Sequence, residues 1–253
     1  MRFSVNDVQW NLAAGPGDAA ASESFSTLDR VFELDGPRVS HGGLCHVIKL
    51  HLGGRDYYVK RYQNRGKHLL KAFGRNRAAT EHHNLAYFAR LGIPVPRVVA
   101  YGGVRHFGLL RRGAIITEGV PNATDLQTLA LTRPDLLANR NWVFAIMRLV
   151  ADYTRRIHED GFTHRDLKWR NVLAETGETP QVFFFDCPSG RHVSRLRRRR
   201  FIVRDLAGLD RLGKKYLSRP MRLRFYLWYR NQTHLTKEDR RLIAKVVTYH
   251  NRR

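Results

Sequence analysis

Residues 164–171 read His-Arg-Asp-Leu-Lys-Trp-Arg-Asn. They offer a carboxylate at Asp166, an ammonium at Lys168 and a carboxamide at Asn171. That set suits transfer of a phosphoryl group to a hydroxyl. The carboxylate orients the acceptor hydroxyl and takes its proton. Lys168 neutralises charge on the transferring group, and the Asn171 amide oxygen turns back to hold a Mg²⁺ ion.

The same residues fit H-R-D-L-x-x-x-N, the catalytic loop of protein kinases, and this resemblance implies roles for residues elsewhere. Asp186 ends the apolar run Phe183-Phe184-Phe185, fifteen positions after Asn171, where kinases place a second Mg²⁺ ligand. The usual D-F-G is here Asp186-Cys187-Pro188, without the aromatic anchor or the glycine. Lys60 follows Tyr57-Tyr58-Val59 on a strand pattern and is implied to grip the α- and β-phosphates of ATP, with Glu81 holding it. Glu81 is the only Asp or Glu between Asp56 and Glu118. Ser40-His41-Gly42-Gly43 stands where a phosphate-covering loop belongs, and Gly42 and Gly43 would let backbone N–H groups approach phosphates. Residues 115–120 read as a strand and then a linker, with backbone groups of Glu118 and Val120 facing the adenine. Asp205 is implied to tie down the catalytic-loop backbone; a helix N-terminal acid favoured by the macrodipole is the alternative.

These residues need a sheet and helices to hold them. Residues 28–34 and 44–52 carry strand signals, Gly53-Gly54 turns the chain, and residues 55–62 return as a third strand. A helix over residues 76–91, with Leu85, Phe88 and Ala89 on its apolar face, ends at Gly92. Strands follow near residues 97–102 and 109–117. Beyond Thr124 the pattern turns helical, with a long helix over residues 135–160 closed by Gly161. The expectation is an α+β, two-lobed protein-kinase-like fold: a flexible segment at 1–27, an antiparallel nucleotide-gripping lobe at 28–118 with one helix, and a mostly helical catalytic lobe at 119–253. The site is expected between the lobes.

The chain more closely resembles the lipopolysaccharide core kinases, the heptose and Kdo kinases of the WaaP/InaA type from Gram-negative bacteria. The matching text is residues 164–173, then Phe185-Asp186-Cys187-Pro188-Ser189-Gly190, Arg204-Asp205-Leu206-Ala207-Gly208-Leu209 and Leu217-Ser218-Arg219. This implies an ATP- and Mg²⁺-dependent kinase acting on a sugar hydroxyl of the lipopolysaccharide inner core, with heptose as first candidate and Kdo as second. One rival is a protein Ser/Thr/Tyr kinase, disfavoured because no A-P-E segment follows Asp186. The other is a non-catalytic kinase-like scaffold, disfavoured by the complete set of Lys60, Glu81, Asp166, Asn171 and Asp186.

Composition agrees with an anionic partner. The 253 residues carry a formal charge of +23 and are 43% hydrophobic, which excludes wholesale disorder. Arg195, Arg197, Arg198, Arg199 and Arg200 form the densest basic cluster, suited to an anionic glycolipid and to the inner-membrane surface. No nucleic-acid module accompanies it, which argues against nucleic acid. Apolar runs fall short of the roughly 18 residues of a membrane span, and the start of the chain lacks a signal-peptide pattern. A cytoplasmic protein peripherally bound to the inner membrane is expected. Cys45 and Cys187 are too few for a disulfide framework, and the histidines form no H-E-x-x-H pattern.

Overall fold

A computed structural model describes residues 6–13, 19–39, 45–63 and 76–252. The chain divides into two compact units, Met1–Asn84 with Pro96–Val120, and Leu85–Val95 with Pro121–Arg253.

The first unit is built on an antiparallel sheet of β1 (Asn6–Leu12), β2 (Cys45–Leu52), β3 (Arg55–Gln63), β4 (Val98–His106) and β5 (Leu109–Glu118), in the order β1-β4-β5-β3-β2. Both hairpin turns need two residues at positive φ. Gly53 and Gly54 supply them at 55° and 76°, and Phe107 and Gly108 at 48° and 76°. Such turns match the right-handed twist of the strands they join.

Two expectations are corrected here. Residues 6–12, placed in a flexible segment, form β1 and pair one for one with β4 from His106 to Ala100. The close approach requires Gly102, because a Cβ there would collide with the Gln9 carbonyl. Residues 28–34, read as a strand, hold helix α2 (Leu28–Glu33). Leu28, Val31 and Phe32 recur at i, i+3 and i+4, and Thr27 caps the helix by accepting from the Arg30 N–H at 3.2 Å. With α1 (Ala19–Ser24), α2 covers one face of the sheet. Ala21, Phe25, Leu28 and Val31 pack there against Ile48, Tyr57, Val59, Ala114 and Ile116.

Helix α3 (Arg77–Arg90) begins under Asn76, whose Oδ1 accepts from the Ala78 N–H at 3.0 Å. It ends at Gly92, φ 70°, with Ile93 N–H donating to Phe88 O and Gly92 N–H to Ala89 O. That paired bonding satisfies carbonyls the helix leaves open.

The second unit is mostly helical. In chain order it holds β6 (Ala123–Asp125), α4 (Leu126–Thr132), α5 (Pro134–Ala138), α6 (Arg140–Glu159), β7 (Phe162–Thr163), β8 (Val172–Glu175), β9 (Val182–Phe184), β10 (Arg191–His192), α7 (Arg195–Tyr216), α8 (Arg219–Arg230) and α9 (Lys237–Thr248). The helix expected over residues 135–160 is broken at Asn139. Its side chain caps α6 by accepting from the N–H groups of Asn141 and Trp142. Ala151 of α6 shares one buried cluster with Val203, Leu206 and Ala207 of α7, Tyr226 and Tyr229 of α8, and Leu242 and Val246 of α9.

Asp239 fastens α9 to α8. Its buried carboxylate accepts from Tyr226 Oη at 2.8 Å and from the Thr236 N–H at 2.9 Å, and pairs with Arg230 Nε at 3.0 Å. Burial alone would raise its pKa, but the Thr236 and Tyr226 hydrogen bonds and the Arg230 charge together lower it to about 2. The unfolded value is near 3.8. Its contribution of about 2 kcal/mol is therefore complete above pH 4–5 and disappears as pH falls through about 2. Urea denaturation should show Asp239→Asn less stable than the parent by that amount at pH 7, with most of the gap closed at pH 2.

Candidate active site

In the first unit, the pleat of β3 decides what faces what. Tyr57 and Val59 point into the core beneath α1 and α2. Lys60 and Tyr62 take the opposite face. Lys60 Nζ lies 2.9 and 3.1 Å from the two carboxylate oxygens of Glu81 on α3, and Tyr62 Oη donates to Glu81 Oε2 at 2.6 Å. The pair is almost enclosed, with side chains 13% and 5% exposed. Burial and the neighbouring Glu81 raise the Tyr62 pKa well above its usual value, so it stays a protonated donor. Tyr62 joins this candidate site, and the sequence alone does not single it out. Its signal is its position two residues after Lys60, on the same strand face.

Glu118 sits at the end of β5. Its peptide N–H donates to Arg97 O at 2.9 Å, and its carboxylate pairs with Arg55 at 3.0 Å and Arg97 at 3.2 Å. Of the backbone groups expected to face a base, its N–H is thus already committed. Val120 closes this unit. Gly42 and Gly43 lie outside the described residues.

In the second unit, the segment between β7 and β8 is held from beneath by α7. Asp205 is fully buried and its carboxylate accepts from the main-chain N–H of His164 at 2.8 Å and of Arg165 at 2.7 Å. His158 Nε2 lies 3.3 Å from the same group. Asp205 stands midway along α7, so it is the tie for the loop and not a helix-terminal acid. Three residues on, a Cβ at Gly208 would collide with the Leu167 carbonyl. One residue further, Leu209 O accepts from Trp169 Nε1 at 2.9 Å. The run Asp205-Leu206-Ala207-Gly208-Leu209 is therefore a clamp that grips the loop at three points.

The clamped loop carries the candidate catalytic side chains. Asp166 Oδ1 lies 2.5 Å from Lys168 Nζ, and Oδ2 lies 4.0 Å from the Arg170 guanidinium. Asn171 Nδ2 donates to Asp166 O at 2.8 Å, and among the described residues its amide oxygen has no hydrogen-bond partner, so it could hold a cation. Phe185 N–H donates to Asn171 O at 3.3 Å, bringing the Asp186 strand alongside. Asp186 and Arg165 hold positive φ, 53° and 68°, which non-glycine residues adopt at a cost of about 1 kcal/mol or more.

His164 is fully buried and stacks on Phe88 with ring centroids 5.9 Å apart. Burial pushes its pKa down, so it is a neutral packing residue. Cys187 is buried, with Sγ 3.8 Å from His164 O. A Cβ at Gly190 would strike both Cys187 and Phe162, which accounts for the glycine three residues after the cysteine.

The chain matches the sequence profile of the lipopolysaccharide kinase (Kdo/WaaP) family over residues 30–240. It is similar to the 3-deoxy-D-manno-octulosonic acid kinase of Haemophilus influenzae (strain 86-028NP), 28% identical over 119 residues, covering 47% of this chain and 46% of the relative. The enzyme of the same name from Vibrio cholerae serotype O1 is 28% identical over 112 residues, 44% of each chain. This chain thus spans about half the length of the curated relatives it matches. Among solved structures, "WaaP in complex with acyl carrier protein" aligns with a TM-score of 0.68 and 19% identity, covering 96% of this chain and 97% of that one. That likeness establishes the protein-kinase-like α+β fold.

Proposed function

The chain belongs to the lipopolysaccharide kinase (Kdo/WaaP) family, and from that premise we propose that it transfers the γ-phosphoryl group of ATP to a hydroxyl of an inner-core lipopolysaccharide sugar. The observation that carries the reading is the loop pinned by Asp205, with Asp166 and Asn171 on one short segment. The acceptor oxygen forms a bond to the γ-phosphorus as the bond to the β,γ-bridging oxygen breaks, and ADP leaves. Asp166 orients the hydroxyl and receives its proton. Lys168 follows the transferring group and balances its charge. Lys60, held by Glu81 and Tyr62, grips the α- and β-phosphates. The Glu118 carbonyl and the Val120 N–H meet the adenine. The Asp186 carboxylate and the Asn171 amide oxygen are hard oxygen donors that fit Mg²⁺. When bound, the ion neutralises phosphate charge.

The relatives' names move Kdo ahead of heptose as acceptor. The test is incubation with Mg²⁺, γ-labelled ATP and dephosphorylated lipopolysaccharide core. Label on the glycolipid, absent with Asp166→Ala, supports the reading; label on protein alone overturns it.

We extend the proposal to docking on anionic membrane. Arg195, Arg197, Arg199 and Arg200 are exposed at the start of α7, and Leu196 among them is 97% exposed. Arg198 turns inward against Gly161 instead. Each arginine near an anionic surface contributes about 1 kcal/mol. Vesicles containing anionic lipid should sediment the protein at low salt and release it near 1 M, where the Debye length falls to about 3 Å. Replacing the four exposed arginines by Gln should have the same effect as salt.

A partner reading follows from the solved neighbour, whose complex is with acyl carrier protein. The helical unit here holds an apolar cavity of about 210 Å³ lined by Leu129, Ile146, Met147, Leu206, Leu209 and Val246. That lining suits an acyl chain. Calorimetry should detect binding of acylated carrier protein and none of the unacylated form.

A further inference from the structure

Two cations flank the Asp166 carboxylate, and they hold it differently. Lys168 Nζ lies 2.5 Å from Oδ1, whereas the Arg170 guanidinium lies 4.0 Å from Oδ2, beyond hydrogen-bond length. Among the described residues, the Arg170 guanidinium donates no hydrogen bond and pairs with no other carboxylate. Two bases therefore share one acid, and the cluster keeps a positive charge in excess.

The neighbours of Arg170 fix where it stands. It is the middle residue of a 3₁₀ turn, Trp169–Asn171. Trp169 is buried, with Nε1 bonded to Leu209 O at 2.9 Å. Asn171 is buried, with its N–H on Lys168 O at 2.9 Å and Nδ2 on Asp166 O at 2.8 Å. The Arg170 side chain between them is 56% exposed. The backbone is thus held on both sides while the guanidinium stays in solvent beside Asp166. Arginine has N–H donors and no acceptor, so the partner that suits it is an oxyanion. A hydroxyl that gives its proton to Asp166 sits about 2.6–3.2 Å from that carboxylate, which brings other substituents of the same ring within reach of Arg170.

We propose that Arg170 is a specificity-determining residue that binds an anionic group of the acceptor, namely the carboxylate of an acidic sugar, and so selects the sugar whose hydroxyl reaches Asp166. Guanidinium and carboxylate match in a forked pair. Lys168 serves the transferring phosphoryl group, so the two cations beside one base divide between donor and acceptor. The inference rests on the reading of a sugar acceptor given above and adds the residue that discriminates among sugars.

The test compares the parent and Arg170→Gln on the native acidic acceptor and on its carboxyl methyl ester, which keeps the lipid phosphates. The parent should prefer the acid by about tenfold in kcat/KM, the low end for a charged hydrogen bond because Arg170 is half exposed. Arg170→Gln should prefer neither by more than about twofold. Any effect of the lost cation on Asp166 itself falls on both acceptors alike and leaves this ratio unmoved. A parent without preference, or a variant that keeps the parent's preference, overturns the proposal. A preference that disappears when the lipid phosphates are removed from both acceptors assigns Arg170 to phosphate and overturns it as well. If neither acceptor is phosphorylated, the acceptor reading fails by itself. NMR titration with free 3-deoxy-D-manno-octulosonic acid and its methyl ester then decides separately. Shifts caused in the parent by the acid, absent with the ester and absent in Arg170→Gln, keep the proposal; any other pattern overturns it.

Discussion

Asp166→Asn should lower turnover by about 10²–10⁴-fold, the range a positioned general base supplies, while the Kd for ATP stays within about twofold. The substitution keeps the side chain's size and removes its basicity. Asn171 still donates to the Asp166 main-chain carbonyl, a bond that does not depend on the side chain. Lys60 and Glu81, in the other unit, are untouched. Single-turnover phosphate release and nucleotide titration separate the two quantities. Turnover within about threefold of the parent would remove Asp166 from the role of base.

Asp205→Ala should be more damaging to the protein as a whole. It deletes a carboxylate with no exposure and strands the N–H groups of His164 and Arg165 in the interior. Each orphaned donor costs about 1–3 kcal/mol, so a loss of about 3–5 kcal/mol is expected. Turnover should also fall at least about a hundredfold at a temperature where the variant remains folded, because the loop carrying Asp166 loses its support. Asp205→Asn retains one accepting oxygen and should recover part of both losses. Thermal melting measured beside turnover distinguishes a loosened loop from an unfolded chain. Full activity in a folded Asp205→Ala protein would show that the clamp does not position the loop.

The candidate site stands out in the sequence more sharply than the elements around it. Chemistry fixes residue types at fixed spacings, so Asp166, Lys168 and Asn171 announce themselves, and the single acid between Asp56 and Glu118 leaves Lys60 one partner. Supporting residues give weaker signals. Tyr62 looks like any strand aromatic until the pleat places it beside Lys60. Gly208 and Gly190 look like helix and loop glycines until the Leu167 carbonyl and the Cys187 sulfur are seen against them.

In the fold, residues 28–34 are short enough for both periodicities to fit, and only the Thr27 cap decides for a helix. In β1, Val8, Trp10 and Leu12 alternate with Asp7, Gln9 and Asn11. That strand signal is muted by the Ala- and Gly-rich stretch after it and by the exposure of Val8, as befits a strand on the rim of a sheet.

β1 matters beyond its own seven residues. It occupies the hydrogen-bonding edge of β4, and Trp10 ties it to the Phe25 carbonyl. A version of the protein trimmed to begin after residue 13, as the sequence alone invites, would leave β4 from Ala100 to His106 as an open template. Another copy's strand can zip onto such an edge. The segment that looks most dispensable is therefore the one that keeps the five-stranded sheet from recruiting its neighbours, and solubility rather than catalysis is where its removal would first be felt.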